Sequence, residues 1–182
     1  MRVIGLAGWS GAGKTTLLLR LIPELNRRGI AVSTVKHAHH AFEVDEPGKD
    51  SFEHRAAGAR EVLVASERRF ALIRELRGEP EPGLAAHLPR LSPVDLVIVE
   101  GFKASAHPKI EVHRARNGKP FLFPDVPNVV AIASDRPVPD APVPVVPLDD
   151  VAAVADAALA LAQSLPDVIA ALEAAGRPAR IG

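Results

Sequence analysis

Cysteine is absent from the 182 residues, which removes disulfides, thiolate metal sites and a cysteine nucleophile from consideration and suits a reducing compartment. A surplus of charge is missing as well. The 22 Lys and Arg balance 22 Asp and Glu, so no long-range field recommends nucleic acid or an anionic membrane as partner. No apolar run approaches the ~20 residues that a membrane span needs; the longest, Val151 to Leu161, is rich in alanine and broken by Asp156. The first residues enter an apolar stretch at once, but Gly8, Ser10 and Lys14 interrupt it where a secretory signal needs its hydrophobic segment. No internal repeat is visible. These absences predict a soluble, cytoplasmic protein. With 47% apolar residues the length predicts one domain, 1-182, its core about 1-164 and its tail 165-182.

What the chain does contain is a phosphate-binding loop. Gly8 to Thr16 read GWSGAGKTT, directly behind the apolar run Val3-Ile4-Gly5-Leu6-Ala7. Gly8, Gly11 and Gly13 let the backbone turn tightly, so that the N–H groups of Trp9, Ser10, Ala12 and their neighbours converge on phosphate oxygens. The Lys14 ammonium is expected on the β- and γ-phosphates, and the Thr15 hydroxyl on a Mg2+ ion carried by the nucleotide. Lys14 to Arg28 reads as a helix, with Leu17, Leu18, Leu21 and Leu25 on one side and Gly29 as its stop, so Thr15 and Thr16 stand at a positive helix end. Pro23 inside it predicts a kink or a tight turn.

Strands are predicted at Ile30 to Val35, Glu61 to Ala65, Phe70 to Ile73, Asp95 to Val99, Val129 to Ala133 and Val143 to Val146, with a short helix at Ser51 to Ala59. Gly78 to Ser92 predicts a loop holding one short helix. Lys109 to His113 and Phe121 to Phe123 predict a hairpin around Asn117-Gly118. Asp149 is placed as the cap of a last helix running through Gln163, ahead of a polar, proline-interrupted tail. Together these give the α/β class: a P-loop NTPase-type doubly wound, mostly parallel sheet with helices on both faces and a small β-hairpin insertion.

Three constellations bear on chemistry. Glu100 ends the continuous apolar strand Leu96-Val97-Ile98-Val99, where a P-loop protein needs an acid near its metal; Asp95, at the strand's other end, reads as structural. Lys36-His37-Ala38-His39-His40 follows the second strand, and with Lys49, His54 and Arg55 it makes a basic region. An anion pocket is preferred there over a metal site, because the spacing matches no closed site. Asp135 follows Val129 to Ala133 where guanine-specific proteins carry an N-K-x-D element, a tetrad this chain lacks; its carboxylate either accepts from guanine or belongs to the turn before Pro137. No arginine finger stands in the sequence around the loop.

The ordered set GWSGAGKTT (8 to 16), LIPEL (21 to 25), KHAHH (36 to 40), PGKDSFEHRAAGA (47 to 59), VASERRFAL (64 to 72), LVIVEGFK (96 to 103) and VVAIASD (129 to 135) resembles the MobB family of molybdopterin-guanine dinucleotide biosynthesis adapters. The resemblance implies a GTP-binding homodimer with weak GTPase activity that assists the molybdenum cofactor guanylyltransferase in joining GMP to molybdopterin. It also implies Glu100 in the metal-side position with Thr15, and Asp50 toward magnesium or the attacking water. Lys36, His37, His39, His40 and Arg55 are then the expected receivers of molybdopterin's terminal phosphate. The competing expectation is a small-molecule kinase using ATP on the same scaffold, with Arg68, Arg69 and Arg74 in a lid and Asp50 as acceptor base.

Overall fold

The computed structural model describes residues 1–38 and 42–176. Two compact units make up the chain: Met1–His37 with everything from Gly83 onward, and Ala38–Pro82.

The larger unit begins with β1 (Arg2–Ala7), the phosphate loop, α1 (Lys14–Arg27) and β2 (Val32–Lys36). In the smaller unit follow α2 (Asp50–Ala56), β3 (Glu61–Ala65) and β4 (Phe70–Arg74). The chain then returns through α3 (Leu84–His87), β5 (Leu96–Glu100), β6 (Lys109–His113), β7 (Val129–Ser134), β8 (Val145–Pro147), α4 (Val151–Leu161), β9 (Gln163–Ser164) and α5 (Leu165–Gly176). The sheet runs β2-β5-β1-β6-β7-β8 with every neighbour on that path parallel, and β9 pairs antiparallel with the start of β1.

Alternation along β1 sends Ile4 and Leu6 to one face and Val3 to the other. Ile4 and Leu6 join Leu17, Leu21 and Leu25 of α1 and Val154, Ala155 and Ala158 of α4 in one core. Val3 joins Val97, Val99, Leu84, Leu88 and Val168 in the second. Each fully buried leucine contributes about 2 kcal/mol, so both helical layers are held by the sheet rather than by helix propensity. The chain leaves β1 toward β2 and β5 on one side and later fills the other side with β6 and β7. The phosphate loop therefore stands at the crevice where strand order reverses, the place where open α/β sheets take ligands.

Several expectations are corrected. Lys109–His113 is an interior strand between β1 and β7 rather than one arm of a hairpin, and Phe121 to Phe123 form no strand. The NG signal ends a 3-10 turn at Ala115–Asn117 with Gly118 at φ 62. The antiparallel hairpin is β3–β4, pairing Glu61 with Arg74 and Ala65 with Phe70. Helix α1 runs through Pro23 to Arg27; the carbonyl that loses its partner belongs to Leu19, which is 72% exposed and faces water.

Asp150, not Asp149, caps α4, accepting from the Ala153 N–H at 3.0 Å. Asp149 is turned instead toward Arg114 (3.3 Å) and Arg20 (3.7 Å). The expected polar tail begins as α5, because Pro166 falls in the first turn, where its missing N–H costs nothing, and Val168 inserts fully buried into the second core.

The interior strand carries an unexpected polar face. Ile110 and Val112 enter the first core, which turns Lys109, Glu111 and His113 to the other side, all buried, with His107 just before them. The Lys109 ammonium donates to the carbonyls of Ser105 (2.6 Å), His107 (2.8 Å) and Pro127 (3.0 Å). Burial pushes its pKa down to about 8, while those three acceptors favour the charged form. Glu111 accepts from the N–H groups of Leu122 (2.7 Å) and Phe123 (3.0 Å), which pins that turn across the strand; burial raises its pKa.

Among the described residues neither ring nitrogen of the buried His107 makes a hydrogen bond of ordinary geometry, and a weak contact with the Ser105 backbone is outweighed by burial. Burial, and then the Lys109 charge, pushes its pKa to about 3. A folded pKa below the ordinary 6.5 means the unfolded chain binds the proton more readily. The neutral ring's contribution is thus full above pH ~6.5 and is lost as the pH falls toward about 3, at up to ~1.4 kcal/mol per pH unit. His107→Leu is expected to flatten the stability profile over that window by close to one proton. Urea unfolding followed at a series of pH values measures this, and an unaltered slope shows that the ring protonates in the fold.

Candidate functional site

The loop between β1 and α1 is built by its glycines. Gly11 and Gly13 take φ 79 and φ 94, the left-handed region that suits glycine. Gly8 is required for another reason: a Cβ there would lie 2.6 Å from the Val112 carbonyl of β6. Gly13 precedes α1 with no side-chain cap and no acid in the first turn, so the positive end of the helix is left for an anion. Thr15 and Thr16 lie exposed on that turn.

The Lys14 ammonium donates to the carbonyls of Gly8 (3.0 Å) and Trp9 (3.1 Å). Burial lowers its pKa, Glu100 opposes this, and Lys103 and Lys36 reinforce it. Four charges therefore belong to one local field.

Glu100 ends β5 between two strands, in register with Leu6 on one side and Lys36 on the other. Its side chain is only 14% exposed, and one oxygen lies 3.9 Å from Lys36 Nζ. The Thr15 hydroxyl and the Glu100 carboxylate are hard oxygen donors, the type that a nucleotide-borne magnesium takes one or two of. Among the described residues no group of three His, Cys, Asp or Glu forms a metal site of its own.

His37 continues β2, its N–H donating to the Glu100 carbonyl at 2.9 Å. Its ring stacks on Phe102 at 4.6 Å. His39 and His40 lie outside the described residues. Asp50 opens α2 and Arg55 lies within it, both in the smaller unit. The Arg55 guanidinium is engaged by Asp45 (2.5 Å), Glu43 (2.7 Å) and Glu75, which answers its charge, so it is not carried forward as an anion ligand.

Asp135 accepts from the Ala115 N–H at 2.8 Å. It also lines a cleft of about 390 Å³ with Ser134, Arg136, Val146, Leu148 and Asp149, at the ends of β7 and β8.

Sequence reasoning missed the segment after β6. Pro120 accepts from the Trp9 indole N–H at 2.8 Å and Asn117 donates to the Ser10 carbonyl at 3.0 Å. Arg114 lies so close that a Cβ on Gly13 would be 3.6 Å from its Nε. An arginine from a segment about a hundred residues further along the chain thus stands beside the loop. The available signal was the strand itself: a β6 placed next to β1 delivers its following residues to the loop.

A family profile described as "MobB: Molybdopterin guanine dinucleotide synthesis protein B" matches residues 3–135. The chain is 43% identical over 157 residues to the molybdopterin-guanine dinucleotide biosynthesis adapter protein of Escherichia coli, covering 85% of this chain and 89% of that one. It is 42% identical over 140 residues to the Haemophilus influenzae protein of the same description, covering 75% and 76%. The crystal structure of a molybdopterin-guanine biosynthesis protein B superposes with a TM-score of 0.67 at 28% identity, covering 87% of this chain and 98% of that one. Bacillus subtilis MobB gives 0.68 at 22% identity, covering 90% and 99%, which supports the fold. No helix among the described residues is long and apolar enough to cross a membrane. With the loop, the strand order and the profile match in agreement, the chain belongs to the MobB family.

Proposed function

We propose that the chain is a GTP-binding adapter that assists the guanylyltransferase joining GMP to molybdopterin, hydrolysing GTP slowly. The observation that carries this reading is the glycine-built loop at the strand-order reversal, with Lys14 inside it and Glu100 at the end of the adjacent strand β5, in register with Leu6 of β1.

In this reading the amides from Trp9 to Thr16 hold the phosphates and Lys14 moves from its two carbonyls to the β- and γ-oxygens. Thr15 and Glu100 are the side chains that would hold a magnesium ion carried by the nucleotide, which would supply positive charge against those oxygens. Loop N–H groups stabilise charge on the β–γ bridge oxygen. Asp135, in the cleft beyond β7, accepts from guanine with the oxygen that Ala115 does not use. Lys36 and His37 receive the terminal phosphate of molybdopterin.

A second copy of the chain is the proposed partner of the β3–β4 face. There Leu63 pairs with Leu72 and Ala65 with Phe70, and Leu63, Phe70 and Leu72 are exposed. A two-stranded ribbon is marginal unless its apolar face is covered.

The test is a titration with GTP and with ATP in the presence of magnesium, the protein's mass read by light scattering in the same sample. Molybdopterin and the transferase are then supplied. Preference for GTP, a dimeric mass and a raised yield of guanine dinucleotide are expected. A clear preference for ATP with no gain in yield favours the kinase reading.

A further inference from the structure

The turn after β5 holds one residue in an uncommon conformation and aims the next at the phosphate loop. Gly101 takes φ 94, and a Cβ there would lie 2.6 Å from the His37 Cβ. Phe102 takes φ 50, left-handed backbone that a bulky residue rarely adopts. The Phe102 ring is held from two sides, by His37 at 4.6 Å and His87 at 6.2 Å. Such conformations persist where surrounding contacts over-determine them, and they gather at functional sites.

The beneficiary is Lys103. Its ammonium lies 5.1 Å from the centroid of the Trp9 ring, and that ring is fixed by its bond to Pro120. Trp9 belongs to the loop itself. A half-buried ammonium on an indole gains about 1 kcal/mol, less than a charge-assisted bond to phosphate, so a ligand in the loop can draw it off.

We propose that Lys103 is a second cation for the γ-phosphate, delivered in cis by the strained turn after β5 and held on the Trp9 ring until a triphosphate fills the loop. This rests on the loop being a triphosphate site. In hydrolysis the water oxygen bonds to the γ-phosphorus and the bond to the β–γ bridge oxygen breaks. Its electron pair stays on the diphosphate, and the water's proton leaves with phosphate or solvent. Lys103 remains an ammonium throughout and offsets charge on the γ-oxygens. A diphosphate lacks the group that Lys103 reaches, so the residue also discriminates the two nucleotides.

The experiment compares Lys103→Met and Lys103→Arg with the unaltered protein, using GTP and GDP with magnesium, and reads affinity, single-turnover hydrolysis and emission from Trp9, the only tryptophan. Lys103→Met is expected to lose about 10-fold in GTP affinity and at least as much in hydrolysis, with GDP affinity within about twofold. Lys103→Arg should recover most of both. Trp9 emission should change more with GTP than with GDP, and Lys103→Met should remove that difference. An unchanged ratio of GTP to GDP affinity in Lys103→Met overturns the proposal, as does an equal loss of both nucleotides with a lowered melting temperature. If the unaltered protein binds no triphosphate at all, the reading of the loop falls together with this one. Binding without a Lys103 effect removes this one alone.

Discussion

On the proposed function, Lys14→Ala is expected to lower GTP affinity by about 100-fold or more, roughly 2.7 kcal/mol, while the melting temperature stays within a few degrees of the unaltered protein. The separation follows from what the ammonium touches. Its two partners are carbonyls of the loop, Gly8 and Trp9 at 3.0 and 3.1 Å. Losing two such bonds at a partly hydrated site costs on the order of 1 kcal/mol, or a few degrees in a chain of this size. Phosphate oxygens, in contrast, lose the one cation placed within the loop itself. Fluorescence titration beside a thermal melt checks both halves. Retained affinity shows that the nucleotide is held elsewhere; lost affinity with a collapsed melt shows that Lys14 is part of the fold.

Gly5→Ala destabilises the fold by about 3 kcal/mol, at the upper end for one added methyl group, although it leaves the loop's residues untouched. Gly5 is extended backbone inside β1, so conformation is not the obstacle. A Cβ there would meet the buried His107 ring at 2.5 and 2.8 Å and Lys109 Cγ at 3.1 Å. Neither neighbour can yield cheaply: His107 is fully buried, and the Lys109 ammonium is fixed by three carbonyls. Adding His107→Ala should recover much of the loss, giving a coupling energy of about 1–2 kcal/mol in a double-mutant cycle. Chemical denaturation of the four proteins measures it. Strict additivity would show that the obstruction is not the imidazole.

The hairpin misreading and the charged face of β6 share one cause. In Lys109-Ile110-Glu111-Val112-His113 the polar residues alternate with apolar ones, and such alternation ordinarily marks a strand with one wet face. The carbonyls that satisfy Lys109 come from residues 105, 107 and 127, and the amides that satisfy Glu111 from 122 and 123. Burial of those charges becomes affordable only once those loops are in place. Asp149 and Asp150 tell the same story over shorter range. Both are competent caps by type, and the choice is made by Arg20 and Arg114, which hold Asp149.

The phosphate loop, the apolar strands beside it and the acid ending one of them were determined by the sequence alone, because each depends on neighbours in the chain. Glycine's backbone freedom, a lysine at fixed spacing and a continuous apolar run act over a few residues. Family membership travelled with those same segments. Tertiary structure alone decided that Arg114 lies beside Gly13, that Lys103 rests on Trp9, and that a lysine and a glutamate are stable inside the sheet. Those outcomes depend on which groups distant segments bring within hydrogen-bonding or ring-contact distance. Side-chain charge is written in the chain, but the partners that make it tolerable or useful are supplied by the fold.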